Sequence, residues 1–249
     1  MRILCFSDIH ATRAQPIHTR HYKDIFGEEA PDVVVITGDI FESTVTCNPH
    51  KQLANIFEDV PVICTFGNHE FFFRRVDAIK KLYEGMYNPN KYNVHYLDIV
   101  GHYEIDGVNF VGNVLWYDGS MINIPYQDMS TFADGRWADS TIRKFDWKNE
   151  CEVCVQQIEE NIDPTCGMNI LCTHTVPHEK LNLHIDKQSP YNAYSGISDL
   201  LGRFEGRLDY AICGHTHRRV IGEYIYGIGC VNVGHDYKIF PPMYYVLEI

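Results

Sequence analysis

Five short apolar runs recur along the chain, and most of them end abruptly in glycine, aspartate, asparagine or histidine. Both faces of each run are apolar, which is typical of a strand covered on both sides of a sheet. The runs lie at residues 1–6, 32–37, 60–66, 168–173 and 208–213. Helix-like segments at 18–29, 48–57 and 76–83 separate the early runs. This order predicts an α/β protein with a partly parallel sheet and right-handed crossovers, in which ligands gather beyond the carboxyl ends of the strands.

The middle and the end of the chain follow a different pattern. Short runs at 94–97, 102–105 and 108–113 predict antiparallel strands around a turn at Asp106 and Gly107. The pattern of apolar and polar residues at 146–162 predicts a helix. Runs at 219–226, 229–233 and 243–248 predict a further meander of strands.

A long irregular stretch at about 116–147 carries many aromatic residues. Loops of this length are usually functional or disordered, and the aromatic content argues against disorder. Two interpretations stay open: a lid whose rings stack on a nucleobase or another flat leaving group, or an excursion that its aromatics pin to the domain. Trp116 and Tyr117 are predicted to lie nearest to the pocket. We interpret residues 1–249 as a single domain with this lid-like insertion.

Composition narrows the classes of function. The formal net charge of −12 disfavours an extended nucleic-acid footprint or binding to an anionic membrane surface. Nine cysteines, mostly in apolar strand-like runs, are typical of small buried side chains in a reducing cytosol. The first ten residues reach a charged turn too early for a signal peptide, and no stretch is long enough to span a bilayer. We therefore expect a soluble, cytoplasmic protein.

Metal-capable side chains follow each of the five doubly apolar runs. These residues are Asp8 and His10, Asp39, Asn68 with His69 and Glu70, His174, and His215 with His217. Oxygen and nitrogen ligands without thiolate suit Mn²⁺, Fe²⁺/³⁺ or Zn²⁺. The inventory is too large for one ion, and two ions about 3.5–4 Å apart with a bridging carboxylate and solvent oxygen are the arrangement that hydrolyses phosphate esters.

The pair His215 and His217 sits in the sequence G-H-T-H. On an extended chain, residues at i and i+2 point the same way, so both rings could reach one spot beyond the strand. Cys172 and Cys213 each lie two residues before a histidine of this set, and on straight strands they would face the same site. We favour packing roles for both thiols.

Together, D-x-H, G-D, G-N-H-E, H and G-H-x-H, in this order between Asp8 and His217, resemble the calcineurin-like metallophosphoesterase superfamily. The resemblance implies a sandwich of two mixed β-sheets flanked by helices. It also implies a centre of two divalent or mixed-valence metal ions, with Mn first and Fe or Zn as alternatives.

The resemblance also assigns roles to individual residues. It implies that one metal is held by Asp8, His10, Asp39 and His217, and the other by Asp39, Asn68, His174 and His215, with Asp39 bridging. His69 matches the family's non-ligand histidine, which contacts the phosphoryl group and protonates the leaving oxygen. Glu70 or another acidic residue would orient His69. His235 is a candidate for supporting the ligands, and His178 and His184 are candidates for the pocket border.

One branch of the family is disfavoured by a departure in the second motif. Ser/Thr protein phosphatases read G-D-x-x-D-R-G there, whereas this chain reads G-D-I-F-E-S-T and lacks the arginine. Arg13, Arg74 and Arg75 lie near the motifs and are either partial substitutes or surface residues.

The expected function is hydrolysis of a phosphate monoester or diester on a small or nucleotide-like substrate through a metal-bridging hydroxide. The alternatives are a non-catalytic metal-binding scaffold of the same fold and a metal-dependent nuclease. The expected binding partner is the small phosphate ester. We expect binding neither to a membrane nor to an extended nucleic acid, and a protein partner and the oligomeric state stay open.

Overall fold

The computed structural model describes residues 1–12, 17–42, 48–58, 60–122, 137–182, 189–236 and 241–249. Within these residues the chain forms eleven strands and five α-helices. The strands are β1 (Arg2–Phe6), β2 (Val33–Thr37), β3 (Val62–Thr65), β4 (Val94–Tyr96), β5 (His102–Ile105), β6 (Val108–Asn113), β7 (Met168–Thr173), β8 (Tyr210–Cys213), β9 (Arg219–Ile225), β10 (Ile228–Val233) and β11 (Tyr245–Glu248). The helices are α1 (Thr19–Glu29), α2 (Pro49–Phe57), α3 (Val76–Met86), α4 (Leu97–Val100) and α5 (Trp147–Asn161).

The strands form two mixed sheets. The first sheet has the order β11-β1-β2-β3-β4, and the second has the order β5-β6-β7-β8-β10-β9. Strands β1 to β4 are parallel to one another, as are β6, β7 and β8. The predicted α/β fold, a sandwich of two mixed sheets flanked by helices, is confirmed.

Successive side chains of the central strands point alternately into two hydrophobic clusters, one on each face of the sheet. Leu4 and Phe6 of β1 pack in a cluster with residues of helices α1 and α2, whereas Ile3 and Cys5 pack in a cluster with strands of the second sheet. Because successive side chains of a strand point to opposite faces, an apolar residue is required at every position. This is the pattern that the sequence shows.

Two of the helices begin at residues that the sequence marks as caps. The Asn48 side chain accepts a hydrogen bond from the Lys51 N–H at the start of α2, with Pro49 in the first turn. The Asp146 carboxylate accepts from the Asn149 N–H at the start of α5. Both helices start where the pattern predicts them.

Two predictions about strand pairing are wrong. Strand β4 is not part of an antiparallel group with β5 and β6, because it pairs in parallel with β3 at the edge of the first sheet. The C-terminal strands are not a meander, because β10 pairs in parallel with β8 and β11 pairs with β1 of the other sheet. Only the hairpins β5-β6 and β9-β10 have the predicted antiparallel pairing.

The short helix α4 connects the two sheets through a buried carboxylate. Asp98 accepts hydrogen bonds of 2.8 Å from the Phe66 N–H, just after β3, and from the Val114 N–H, just after β6. Burial raises the pKa of Asp98 to about 6. The carboxylate therefore joins one strand end of each sheet close to the rim where the motif residues lie.

Parts of the predicted insertion and some candidate residues lie outside the described residues. The segment is 123–136 of the lid-like stretch at 116–147, and the candidate residues are Arg13 and His184. The single-domain organisation stays a prediction. Every helix in the described residues is too short or too polar to cross a bilayer.

Candidate metal centre

The motif residues meet where the carboxyl ends of β1, β2, β3, β7 and β8 converge from the two sheets. Donor atoms of Asp8, His10, Asp39 and His217 lie within 4.8 Å of one another, and the same holds for those of Asp39, His174 and His215. The Asn68 Oδ1 lies 3.0 Å from the His174 Nε2. The fold therefore brings all seven residues predicted as ligands into two adjoining clusters.

The strand ends reach the centre through left-handed backbone turns. Five of the seven residues have positive φ: Asp8 (56°), His10 (49°), Asp39 (49°), His215 (68°) and His217 (54°). Non-glycine residues in such conformations cost about 1–3 kcal/mol each and cluster at functional sites. The extended geometry expected for His215 and His217 is therefore wrong, since both residues lie in a turn. Their rings enter the two different clusters to which the resemblance assigned them.

Glycines in the motifs allow the strand ends to approach closely. A Cβ at Gly38, which has a φ of 80°, would lie 2.4 Å from the His174 Nδ1. A Cβ at Gly67 would lie 2.1 Å from the Asp39 Oδ1. Contacts this short are sterically impossible, so the glycine before Asp39 and the glycine before Asn68 are required by the packing of the site.

The tautomers of two histidines leave unshared lone pairs facing each other. The His174 Nδ1 lies 2.8 Å from the Thr37 carbonyl, and the His215 Nε2 lies 3.0 Å from the Tyr194 carbonyl. A carbonyl oxygen only accepts, so each of these nitrogens carries the proton of the neutral ring. The remaining nitrogens, His174 Nε2 and His215 Nδ1, are then both acceptors although they lie 3.1 Å apart.

Two more acceptors point into the same cluster. The Asn68 amide donates its Nδ2 to the Asp139 Oδ1 at 2.7 Å, so its oxygen faces the His174 Nε2. The Asp39 Oδ2 lies 3.4 Å from the same nitrogen. With both rings neutral, four lone-pair donors lie around one point, and partners outside the cluster fix those of His174, His215 and Asn68. This set fits a divalent cation with nitrogen and oxygen ligands.

The other cluster shows the same fit. The His10 Nδ1 lies 3.2 Å from the Glu42 Oε1, which accepts its proton and leaves Nε2 as the acceptor. That Nε2 lies 3.1 Å from the His217 Nε2 and 3.5 Å from the Asp39 Oδ2. The Asp8 Oδ1 lies 3.7 Å from the His217 Nε2. The Asp39 Oδ2 therefore faces both clusters.

Electrostatics at the centre favour positive charge. Burial raises the pKa of Asp39, but the surrounding histidines outweigh it and hold that pKa well below its usual range. Burial opposes a charge on His174, but the Asp39 carboxylate more than offsets this. Without a bound cation the pKa of His174 therefore rises to about 10, and its Nε2 carries a proton in the place that a cation would take. Burial and the neighbouring His174 lower the pKa of His215 to about 3, which keeps its ring neutral as a ligand must be.

His69 lies beside the two clusters and is held by Glu42. The His69 Nδ1 lies 2.7 Å from the Glu42 Oε1, and its Nε2 lies 3.8 Å from the Asp39 Oδ2. Burial lowers the pKa of His69, but Asp39 and Glu42 outweigh it and raise the pKa to about 9. Without bound cations the ring is therefore charged at neutral pH, and its Nε2 faces the centre.

Glu70 does not orient His69. Its carboxylate accepts hydrogen bonds of 2.8 Å from the backbone N–H groups of Ile40, Phe41 and Gly67, and it braces the two motif loops instead. The orienting residue is Glu42, which sequence reasoning did not single out. Its position three residues after Asp39, on the same turn, was the available signal.

Asp139 is a second residue that the sequence did not indicate. Besides the Asn68 amide, its carboxylate accepts from the Tyr117 hydroxyl at 2.7 Å and from the Trp137 Nε1 at 3.0 Å. Asp139 comes from a short 3₁₀ helix (Ala138–Thr141), 71 residues from Asn68 in the chain. No local motif marks it.

A cavity of about 380 Å³ opens onto the centre. Its lining residues in the described ranges are Asp39, Asn68, His69, Trp137, Ala138, Asp139, Tyr191, Ser195, His215, Thr216 and His217. Trp116 and Tyr117, predicted to lie nearest to the pocket, are buried in the core with 0% exposure and do not line it. They pin the start of the aromatic stretch, whereas Trp137 faces the cavity.

The remaining candidates take supporting or remote positions. The backbone N–H of His235, and not its ring, donates to the Asp8 Oδ2 at 3.4 Å, whereas the ring Nδ1 accepts from the Met243 N–H. His178 is buried, lies 3.7 Å from Asp199 and does not line the cavity. Arg74 and Arg75 are exposed and also do not line it. Cys172 and Cys213 are fully buried in apolar clusters, and burial raises the pKa of both thiols.

A two-sheet α/β sandwich with histidine and carboxylate clusters at its strand ends defines a metal-dependent hydrolase class. The chain belongs to the calcineurin-like phosphoesterase family, whose pattern it matches over residues 1–219. Membership in this family assigns the protein, in general terms, to metal-dependent hydrolysis of phosphoesters.

Solved structures share this fold at low sequence identity. Phosphopantetheinyl hydrolase (PptH) from Mycobacterium tuberculosis is 15% identical with a TM-score of 0.69, covering 93% of this chain and 88% of that one. A dimetal phosphatase from Danio rerio is 13% identical with a TM-score of 0.52, covering 99% and 91%. GAP50, the anchor in the inner membrane complex of Plasmodium, is 14% identical with a TM-score of 0.52, covering 94% and 71%. These likenesses establish the fold alone.

Proposed function

We propose that this protein is a binuclear metallophosphoesterase that hydrolyses a small phosphate ester. The observation that carries the proposal is the convergence of acceptor lone pairs in two clusters that share the Asp39 Oδ2. A single proton or water cannot satisfy so many fixed acceptors, whereas two cations bridged by one carboxylate would satisfy them.

The proposed ligand sets follow the two clusters. Asp8, His10, Asp39 and His217 would hold one ion, and Asp39, Asn68, His174 and His215 would hold the other. We propose Mn²⁺ first, with Fe or Zn as alternatives, because imidazole and carboxylate ligands without thiolate suit these metals. The cytoplasmic location expected from the cysteine usage stays a prediction.

Bound divalent ions would neutralise charge on the phosphoryl oxygens and lower the pKa of the attacking water. The chain's own contribution to bond cleavage is His69. Its Nε2–H would donate a proton to the leaving oxygen, while the Glu42 carboxylate holds its Nδ1–H and fixes the ring. Asp39 and His174 form the buried base of the site.

The size and charge of the cavity support a small substrate. A volume of about 380 Å³ is at the lower end of small-molecule sites, and no lysine or arginine lines the cavity among the described residues. A nuclease would need basic side chains along an extended groove, which disfavours that alternative. PptH and the dimetal phosphatase carry hydrolase names on this fold, which supports the enzymatic proposal.

Hydrolysis of chromogenic phosphomonoester and phosphodiester substrates by Mn²⁺-loaded protein tests the activity. We expect turnover of at least one ester class and a loss of about 10²-fold or more in kcat in His69→Ala. The remote variant His102→Ala, an exposed histidine of β5, should retain full activity. No turnover of either class by protein with two bound metal ions would favour the non-catalytic scaffold, a role of the kind that the name of GAP50 describes.

Metal content of single and double variants tests the two ligand sets. His217→Ala and Asp8→Asn should each lose the same ion, so the double variant should still retain about one metal per chain. His217→Ala combined with Asn68→Ala should lose both ions, because the two residues come from different clusters. Equal metal loss in both double variants would contradict the assignment, and elemental analysis after gel filtration provides the measurement.

A further inference from the structure

One wall of the cavity above the centre is aromatic. Trp137 and Tyr191 line it, and their rings are stacked with centroids 5.3 Å apart and planes 26° apart. Tyr191 is 39% exposed, although large aromatic side chains are usually covered. An open aromatic wall beside a polar centre recognises a ligand by its flat face rather than by its charge.

The Trp137 ring is held in place from two directions. Its Nε1–H donates to the Asp139 Oδ2 at 3.0 Å, and the buried Tyr194 ring stacks on it at 4.7 Å with planes 24° apart. Both anchors are also bonded to the metal centre. Asp139 accepts from the Asn68 amide, and the Tyr194 carbonyl accepts from the His215 Nε2. The aromatic wall therefore has a fixed position relative to any phosphate at the centre.

The charges of the cavity restrict what the leaving group can carry. Among the described residues, the lining has the carboxylates of Asp39 and Asp139 but no lysine or arginine. His69 also lines the cavity, but the proposed reaction assigns it to the leaving oxygen, so a further anionic group on the alcohol part of the ester would face these carboxylates without a counter-charge of its own. The alcohol part that this wall suits is therefore neutral and flat.

We propose that Trp137 and Tyr191 form a platform that stacks on the alcohol part of the substrate and selects phosphate esters of an aromatic ring-bearing alcohol, either an aryl or a nucleoside ester. This proposal rests on the proposed phosphoesterase function, since it names the substrate class of the same site. Stacking of a base or aryl ring on an aromatic side chain suits such ligands because every one of them presents a π-face.

Steady-state kinetics with three esters test the platform. The substrates are 4-nitrophenyl phosphate, adenosine 5′-monophosphate and a simple alkyl phosphate, each assayed with Mn²⁺-loaded protein. Trp137→Leu should raise KM about tenfold for the aryl ester, the nucleotide or both, and leave the alkyl ester nearly unchanged. Comparing each variant with the parent on the same substrate cancels the different reactivities of the leaving groups. The aromatic ester whose KM rises in Trp137→Leu shows whether the platform binds an aryl ring or a nucleobase.

Matched variants separate stacking from support of Asp139. Trp137→Phe keeps a flat ring but loses the Nε1–H, so it should retain most of the selectivity. Tyr191→Ala should lower selectivity in the same direction, whereas Tyr224→Ala, a 71% exposed tyrosine on β9, should not. An equal loss on all three esters in Trp137→Leu and Tyr191→Ala would overturn the platform, because a purely structural role affects every substrate alike.

A binding measurement keeps the platform distinct from the proposed activity. Titration calorimetry of Mn²⁺-loaded protein with phenylphosphonate and methylphosphonate requires no turnover. We expect phenylphosphonate to bind about tenfold more tightly, and the difference to vanish in Trp137→Leu. If no ester is hydrolysed but this difference is present, the catalytic proposal fails and the platform stands. Equal affinity for both phosphonates would overturn the platform even in an active enzyme.

Discussion

Glu42 holds two histidine rings with one carboxylate oxygen. Its Oε1 lies 2.7 Å from the His69 Nδ1 and 3.2 Å from the His10 Nδ1, so the proposed acid and a proposed ligand share a support. Burial raises the pKa of Glu42, but these two hydrogen bonds outweigh it and hold the pKa at about 2. The carboxylate is thus charged over the working pH range and keeps both rings oriented.

Glu42→Gln should impair proton donation by His69 more than metal binding. We expect kcat to fall roughly 10- to 100-fold for an alkyl phosphate and much less for 4-nitrophenyl phosphate, because 4-nitrophenolate leaves without a proton. Kinetics on both esters, with metal content measured in parallel, check this. The exposed Glu28→Gln on α1 is the control. An equal loss of kcat on both esters would contradict this prediction, because it would show that Glu42 does not act through proton donation by His69.

Short connecting elements, rather than the long strands, set the relation between the two sheets. Helix α4 has only four residues, yet its Asp98 is bonded to the end of β3 and to the end of β6. The strand ends that carry Asn68 and His174 belong to different sheets, so the distance between them depends on such cross-links. The left-handed turns after β1, β2 and β8 then bring the side chains inward.

Asp98→Ala should destabilise the fold by about 2–4 kcal/mol. Two buried N–H groups, those of Phe66 and Val114, would lose their acceptor, and each unsatisfied group costs about 1–3 kcal/mol. For a protein of this size the melting temperature should fall by roughly 5–15 °C. Asp77→Ala removes an exposed carboxylate that pairs with Arg75, and because water screens this pair the melting temperature should hardly change. Similar melting temperatures for the two variants would contradict the linking role of Asp98.

At the scale of the whole molecule, the proposed cations would join the two sheets. The residues predicted as ligands come from strand ends of the first sheet (Asp8, Asp39, Asn68) and of the second (His174, His215). Metal ions that bind only the folded chain stabilise it in proportion to the logarithm of their concentration. The strained turns at the strand ends add a cost that bound metal would offset.

Removal of metal should lower the melting temperature of the whole protein. At a Mn²⁺ concentration of 100 times Kd, each independent site contributes about 2.7 kcal/mol, which amounts to several degrees. Ca²⁺ at the same concentration screens the net charge of −12 equally but prefers oxygen ligands, so it should give a much smaller shift. Differential scanning fluorimetry of chelated protein with each ion measures this. Equal shifts for both ions would indicate charge screening instead of an imidazole site.

The sequence was sufficient for the local features of the protein. Strands such as β2 and β7 are covered on both faces and therefore need an apolar residue at nearly every position, so their positions were readable without any partner. The order of the motifs indicated which polar residues follow which strand end, and those residues do meet. The motif glycines, such as Gly38 and Gly67, were also visible, although the sequence did not show which side chains they make room for.

Only the tertiary structure showed which strands pair and which distant side chains are hydrogen-bonded to each other. Strand β4 has the same short apolar pattern as an antiparallel strand, and its parallel pairing depends on the edge left free by β3. Asp139 reaches Asn68 across 71 residues, and His174 reaches the Thr37 carbonyl across 137. The motif resemblance already assigned His215 and His217 to different ions, but the left-handed turn that carries their rings there is visible only in the structure. Residue types and strand positions follow from local periodicity, whereas tautomers, ring orientations and strand neighbours follow from contacts between distant segments, which no local pattern encodes.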